Sequence, residues 1–147
     1  MTTDSLMEAL QGRWRVVYSE FDGEMTPVAD FSTIVIENNG SQFSVEKNGS
    51  IVHEGKFSIN VSVTPHEIVY IYTRGSEVFL GGPRVGVFQL VGDTFKTNLA
   101  AVGHRSPQDF NTFPDSGTVL SIHQKVGSES GREIAALSST TRAVSQW

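Results

Sequence analysis

Four polar side chains stand where the sequence pattern predicts a dry, inward-facing surface. Tyr18, His53, Tyr70 and Tyr72 each occupy the apolar phase of a run that alternates with period two. Buried hydroxyl and imidazole groups need hydrogen-bond partners, which an enclosed small molecule would supply. Alternatively, these groups satisfy one another, or a strand is shifted by one residue and they face solvent.

Histidine also raises the possibility of metal or acid/base chemistry. The four histidines are His53, His66, His104 and His123, and none is spaced as in H-x-H or H-x3-H. The sequence therefore predicts no metal and no cofactor, although a lone axial histidine, as in haem-binding barrels, stays open for His53 or His104. One histidine or tyrosine beside an enclosed apolar substrate would be enough to steer a cyclisation or isomerisation, and His53 with Tyr70 or Tyr72 could do so. No G-x-S-x-G elbow is present, so no catalytic residue is assigned.

Composition narrows the class of protein. The 147 residues carry a net charge of −5, which disfavours nucleic acid as a partner because such binding depends on clustered Lys and Arg. No cysteine is present, which excludes disulfides and fits a reducing compartment. The first residues lack a signal-peptide pattern and no apolar run reaches membrane-spanning length, so we expect a cytoplasmic protein without a membrane span.

The candidate side chains lie on segments that the sequence predicts to be strands. A capping-box pattern at Ser5 and Glu8 predicts a short N-terminal helix that ends at Gly12. Eight strand-like runs follow, separated by Asn-Gly and Gly-Asp turns that are typical of hairpins. The runs cover 13–19, 33–37, 42–47, 50–59, 67–74, 84–90, 94–98 and 118–124. Eight short strands in meander order predict an all-β, antiparallel up-and-down barrel, with a β-sandwich as the alternative.

Two segments fall outside the meander. Residues 100–117 form a long loop with two prolines, which we expect to pack across a barrel end or shape its mouth. His104 and Arg105 in this loop are candidates to meet a ligand carboxylate, or are ordinary exposed loop residues. Residues 127–147 are a Ser/Thr-rich tail, so residues 1–126 are predicted to be the barrel domain.

The segment that opens the first strand resembles a known motif. Gly12-Arg13-Trp14 after a helical turn resembles the Gly-x-Trp signature of lipocalin and calycin barrels, in which the Trp plugs the closed end. Residues 10–27, 86–96 and 106–125 are similar to a small bacterial lipocalin-like domain family of unknown function, of the planctomycete type. In this chain Ser106 replaces the usual Arg before the proline. The resemblance implies a calycin-like barrel and brings no ligand or reaction with it.

Together these features predict a barrel that binds a small, mostly apolar molecule in its lumen. Alternation places Leu120 and Ile122 of the last strand inside. The Gly-x-Trp resemblance implies that Trp14 closes the end opposite the mouth. One alternative is a cofactor-independent cyclase or isomerase that uses the lumen as its active site. Another is a filled barrel that acts as a protein-interaction module. The residues predicted to contact the ligand are Tyr18, His53, Phe57, Tyr70, Tyr72, Phe88, His104 and Arg105.

Overall fold

The computed structural model describes residues 2–127, which form a closed antiparallel β-barrel. Its elements are α1 (Thr3–Ala9), β1 (Gly12–Phe21), β2 (Glu24–Met25), α2 (Val28–Phe31), β3 (Ile34–Asn39), β4 (Gln42–Lys47), β5 (Ser50–Asn60), β6 (His66–Arg74), α3 (Glu77–Leu80), β7 (Arg84–Val91), β8 (Thr94–Leu99) and β9 (Val119–Lys125). Strand β1 and strands β3 to β9 follow one another around the barrel, and β9 pairs with β1 to close it. The predicted eight-stranded up-and-down barrel with a short N-terminal helix is confirmed. The predicted tail covers residues 127–147, and its residues from 128 onward lie outside the described part of the chain.

The N-terminal helix is capped one turn earlier than the sequence pattern suggests. Thr2 is the N-cap: its hydroxyl accepts from the Ser5 backbone N–H at 3.1 Å, and the Ser5 hydroxyl accepts from the Thr2 N–H at 3.0 Å. The predicted pairing of Ser5 with Glu8 is therefore wrong, because Ser5 itself occupies the position that closes the capping box. Leu6 and Leu10 are buried against the barrel.

Trp14 lies at the end of the barrel next to α1, which we call the α1 end. Its ring is fully buried, its indole N–H donates to the Leu10 carbonyl at 2.9 Å, and it meets Phe95 edge to face. The opposite end, where β6 ends and β7 begins, carries α3 and is called the α3 end. Trp14 thus packs far from the α3 end, as the Gly-x-Trp resemblance implies.

A β-bulge changes which side chains of β1 point inward. Val16 pairs with His123 and Tyr18 pairs with Ile122, so Val17 is an extra residue on β1. Beyond the bulge Ser19 is buried and lies opposite the inward-facing Ser121. The expectation that Tyr18 faces the lumen is therefore wrong, because the inserted residue reverses the alternation.

Strand β9 also has the opposite phase from the predicted one. Val119, Ser121 and His123 face the lumen, whereas Leu120 and Ile122 face outward. The outer face is apolar here because the long loop 100–117 covers it. This loop lies along the outside of the barrel wall: the Asn98 amide donates to the carbonyls of Asp109 and Asn111 at 2.8 and 3.1 Å.

Candidate functional site

A small cavity lies inside the barrel. Its volume is about 20 Å³, which is enough for one water molecule, since a water needs roughly 10–15 Å³ by this measure. One part of its wall is apolar, formed by Ile36, Phe43, Val45, Leu99 and Val119. The remainder is polar, formed by Tyr70, Tyr72, Arg84, Thr97, Ser121 and His123.

Arg84 is the buried cation of this cavity. It opens β7 at the α3 end, and only 7% of its surface is exposed. Its Nε donates to the Ala100 carbonyl at 3.1 Å, its Nη1 donates to the Tyr72 hydroxyl at 3.2 Å, and its guanidinium lies 4.8 Å from the Phe79 ring centre. Within residues 2–127 no carboxylate forms an ion pair with it. The charge is thus held by neutral groups alone.

His123 contributes a second unusual polar group. Its Nδ1 lies 2.9 Å from the Phe95 carbonyl oxygen, and because a carbonyl only accepts, Nδ1 carries the proton. The Nε2 atom is buried and has no hydrogen-bond partner among the described residues. Burial lowers the pKa of His123 to about 4, against a smaller opposing effect of the Phe95 hydrogen bond. The ring is therefore neutral at physiological pH and presents an unused acceptor.

Tyr70 and Tyr72 sit side by side on the cavity wall, as predicted. The ring of Phe43 meets each of them edge to face at 5.0 Å. This packing needs glycine at position 55, because a Cβ there would run into the Phe43 ring and the Ile71 carbonyl. Burial, with a smaller contribution from Tyr72, raises the pKa of Tyr70 well above its ordinary value. Tyr70 is therefore a neutral phenol at physiological pH, and the Tyr72 hydroxyl accepts a hydrogen bond from Arg84.

His53 lies beside the cavity, not in its wall. Its ring contacts Tyr72 and Phe79 at centroid distances of 5.7 and 5.1 Å, and its Nδ1 accepts from the Ser76 backbone N–H at 3.4 Å. Burial lowers the pKa of His53, and the nearby Arg84 charge lowers it further by a smaller amount. Phe79 of α3 stacks on Tyr72 at 4.8 Å. These aromatic rings cover the Arg84 side of the cavity, and we call His53, Tyr72 and Phe79 the aromatic cover.

The other predicted site residues lie elsewhere. Tyr18 donates to a Glu20 carboxylate oxygen at 2.7 Å on the outer face, and burial followed by this hydrogen bond raises its pKa to about 12. Phe57 and Phe88 are core residues that do not line the cavity. His104 and Arg105 are exposed on the long loop. The structure thus brings together Tyr70 and Tyr72, with His53 adjoining, and adds Arg84 and His123.

A larger hollow of about 460 Å³ opens on the surface at the α1 end. It is lined by Leu6, Thr64, Pro65, His66, Phe88, Gln89, Leu90, Val91 and Phe110. This hollow exceeds the internal cavity in volume but has no charged side chain in its lining. We take the internal cavity as the candidate site because its wall holds a buried arginine without an ion pair among the described residues and the unpartnered Nε2 of His123.

Neither metal-ligand clusters nor membrane-spanning helices occur in the part of the chain that the structure describes. No group of three or more His, Cys, Asp or Glu side chains in residues 2–127 is arranged to hold a metal ion. Over the same residues, no helix is long and apolar enough to cross a membrane.

Fold and site together define an eight-stranded up-and-down β-barrel whose internal cavity has an apolar part and a polar part. This arrangement is consistent with a calycin-like fold. Comparison with protein-family models, curated proteins and solved structures gave no match to the chain.

Proposed function

We propose that this barrel binds a small, mostly apolar molecule in its internal cavity. The unpartnered Nε2 of His123 carries the proposal, because native interiors rarely leave a buried acceptor unused. A hydroxyl or N–H of a ligand would supply the missing hydrogen bond. The apolar wall formed by residues such as Val45, Leu99 and Val119 would take the rest of the molecule.

Entry of such a ligand requires side chains to move, since the cavity now holds no more than a water. The α3 end is the place where this movement costs least. Helix α3 has four residues, no buried side chain and no side-chain cap. Its displacement would carry Phe79 away from Tyr72 and open the aromatic cover without disturbing the strands.

The small volume favours a second candidate function. A lumen of about 20 Å³ is close to filled, which suits an interaction module that acts through its outer surface. The enzyme alternative rested on His53, which lies outside the cavity wall. Ligand binding in the lumen is therefore the first candidate function, and the filled barrel that acts as an interaction module is the second.

The proposal also includes the family to which the chain belongs and its cellular compartment. The Gly12-Arg13-Trp14 motif and the segments 86–96 and 106–125 support membership of the small bacterial lipocalin-like family. The lack of cysteine supports a reducing, cytoplasmic setting.

A nuclear magnetic resonance titration of the full chain with 1-hexanol tests the binding function. This probe has an apolar tail and one hydroxyl donor. The proposal predicts saturable shifts of the backbone amides of Val45, Leu99 and Ser121, and smaller shifts at outward-facing Ser58. Saturable shifts confined to the outer surface, or none at all, would favour the filled barrel.

A further inference from the structure

Arg84 holds a charge that the described protein does not neutralise. An arginine keeps its proton under all ordinary conditions, so burial cannot discharge it. Burying a charge without a counter-ion is costly, and buried charges in proteins are usually paired. The side chain is 7% exposed and makes no ion pair within residues 2–127.

The groups around Arg84 leave part of its hydrogen-bonding capacity unused. A guanidinium has five N–H donors. The structure shows one bond from Nε to the Ala100 carbonyl and one from Nη1 to the Tyr72 hydroxyl. Phe79 adds a cation–π contact, which carries no negative charge. Donors therefore remain for a planar anion, the partner for which arginine geometry is best suited.

Charge also sets the class of anion. Arg84 is the only Lys or Arg among the described residues that line the cavity. A phosphate monoester carries a charge of about −1.5 to −2 at neutral pH, which one arginine would leave partly uncompensated. A carboxylate carries a single negative charge and accepts two parallel hydrogen bonds from one guanidinium. The apolar part of the wall favours a remainder that is mostly hydrocarbon, and the unpartnered Nε2 of His123 fits one hydroxyl or N–H within it.

We infer that the ligand is a small apolar monocarboxylate, whose carboxylate binds Arg84 beneath the aromatic cover and whose hydrocarbon part lies along the apolar cavity wall. This inference rests on the proposed function and specifies its ligand. The carboxylate would join the Tyr72 hydroxyl and the Arg84 guanidinium, which already contact each other. The hydrocarbon part would extend from the α3 end towards His123, where a hydroxyl or N–H at its far end would supply the hydrogen bond that Nε2 lacks.

Calorimetric titration of the full chain with hexanoate and with 1-hexanol tests the inference. The two probes share the hydrocarbon chain and differ in the charged group. Three proteins are compared: the wild type, Arg84→Met and Arg74→Met. Arg74 is an exposed residue on the same side of the barrel, paired with Glu54 at 2.5 Å, so its variant changes the net charge equally without touching the cavity.

We expect the wild type to bind hexanoate at least about tenfold more tightly than 1-hexanol. The reason is that only hexanoate forms a pair of charge-assisted hydrogen bonds with Arg84. Arg84→Met should abolish this preference, and Arg74→Met should keep it. Equal affinity for both probes would overturn the carboxylate inference and leave the binding function standing. Failure of both probes to bind the lumen would overturn both proposals.

A preference for hexanoate that survives in Arg84→Met would also overturn the inference. Folding of each variant is checked first by thermal melting. If Arg84→Met does not fold, the ratio of the two affinities in the wild type, compared with the ratio in Arg74→Met, decides the charge preference. In that case amide shifts at Val85 and Tyr72 must accompany hexanoate binding, and their absence would refute the Arg84 site.

Discussion

The Nδ1 of His123 lies 2.9 Å from the backbone carbonyl oxygen of Phe95, on the neighbouring strand β8. The two rings also stack, with centroids 5.0 Å apart. This relationship fixes the tautomer of the imidazole and leaves Nε2 as its unused acceptor. It makes His123 the residue on which the proposed binding function depends most.

The buried His123 should make stability depend on pH. Unfolded histidine has a pKa of about 6.5, and the folded value is about 4, so the unfolded state binds more protons between these limits. The free energy of unfolding should be fully maintained above pH 6.5 and fall as the pH drops towards 4. At pH 4.5 protonation of His123 should lower the free energy of unfolding by more than about 2 kcal/mol relative to pH 7.5. Urea unfolding of the wild type and His123→Gln at pH 7.5 and 4.5 checks this. Equal pH dependence in the two proteins would contradict it.

Trp14 should carry much of the packing at the α1 end. Its ring is fully buried, and it joins α1 to β8 through Leu10 and Phe95. Trp14→Ala should lower the free energy of unfolding by about 3–5 kcal/mol. Trp14→Phe, which keeps an aromatic ring, should cost less. Chemical denaturation measures both, and a Trp14→Ala protein as stable as the wild type would show that the ring does not close this end.

Asn98 should hold the long loop against the barrel wall. Its amide donates to two loop carbonyls, and the Thr112 hydroxyl donates to Glu20 nearby. Asn98→Ala should cost about 1–3 kcal/mol because two hydrogen bonds from the buried Asn98 amide to loop carbonyls are lost. Amide hydrogen exchange over residues 106–112 should accelerate. Asn39→Ala, at an exposed position, is the control, and identical loop exchange in both variants would count against the role of Asn98.

Tyr18 should be irrelevant to ligand binding, in contrast to the expectation from alternation. Tyr18→Phe removes a hydroxyl that meets Glu20 on the outer face, so affinity for 1-hexanol or hexanoate should stay within about twofold, a change of less than 0.5 kcal/mol. Tyr72→Phe removes a hydroxyl from the cavity wall and should weaken hexanoate binding several-fold. The reverse order of effects, measured by calorimetry, would place the site outside the lumen.

The fold could be predicted because it follows from local rules. Period-two runs predict strands, Asn-Gly turns predict hairpins, and a meander of eight antiparallel strands closes readily into a barrel. Tyr70 and Tyr72 were predicted on the cavity side because β6 alternates without interruption up to Tyr72 on the lumen face.

The site was harder to predict because its key residues depend on tertiary context. The bulge at Val17 turns Tyr18 outward, and no composition signal in β1 marks it. In β9 both faces are buried, one by the core and one by the loop, so alternation does not distinguish them and His123 was assigned to the wrong side. Nothing in the sequence gives a reason to select Arg84, because only the folded structure shows the groups that enclose it.

A variant that fills the lumen shows whether the ligand occupies it. Ser121→Leu places a larger side chain in the cavity wall, whereas Ser58→Leu makes the same chemical change at an exposed site on β5. After both variants are shown by melting to fold, their affinities for hexanoate and 1-hexanol are measured by calorimetry. Ser121→Leu should bind both probes at least about tenfold more weakly than the wild type, a change of about 1.4 kcal/mol. Ser58→Leu should bind them as the wild type does. Undiminished binding in a folded Ser121→Leu protein would contradict binding in the lumen.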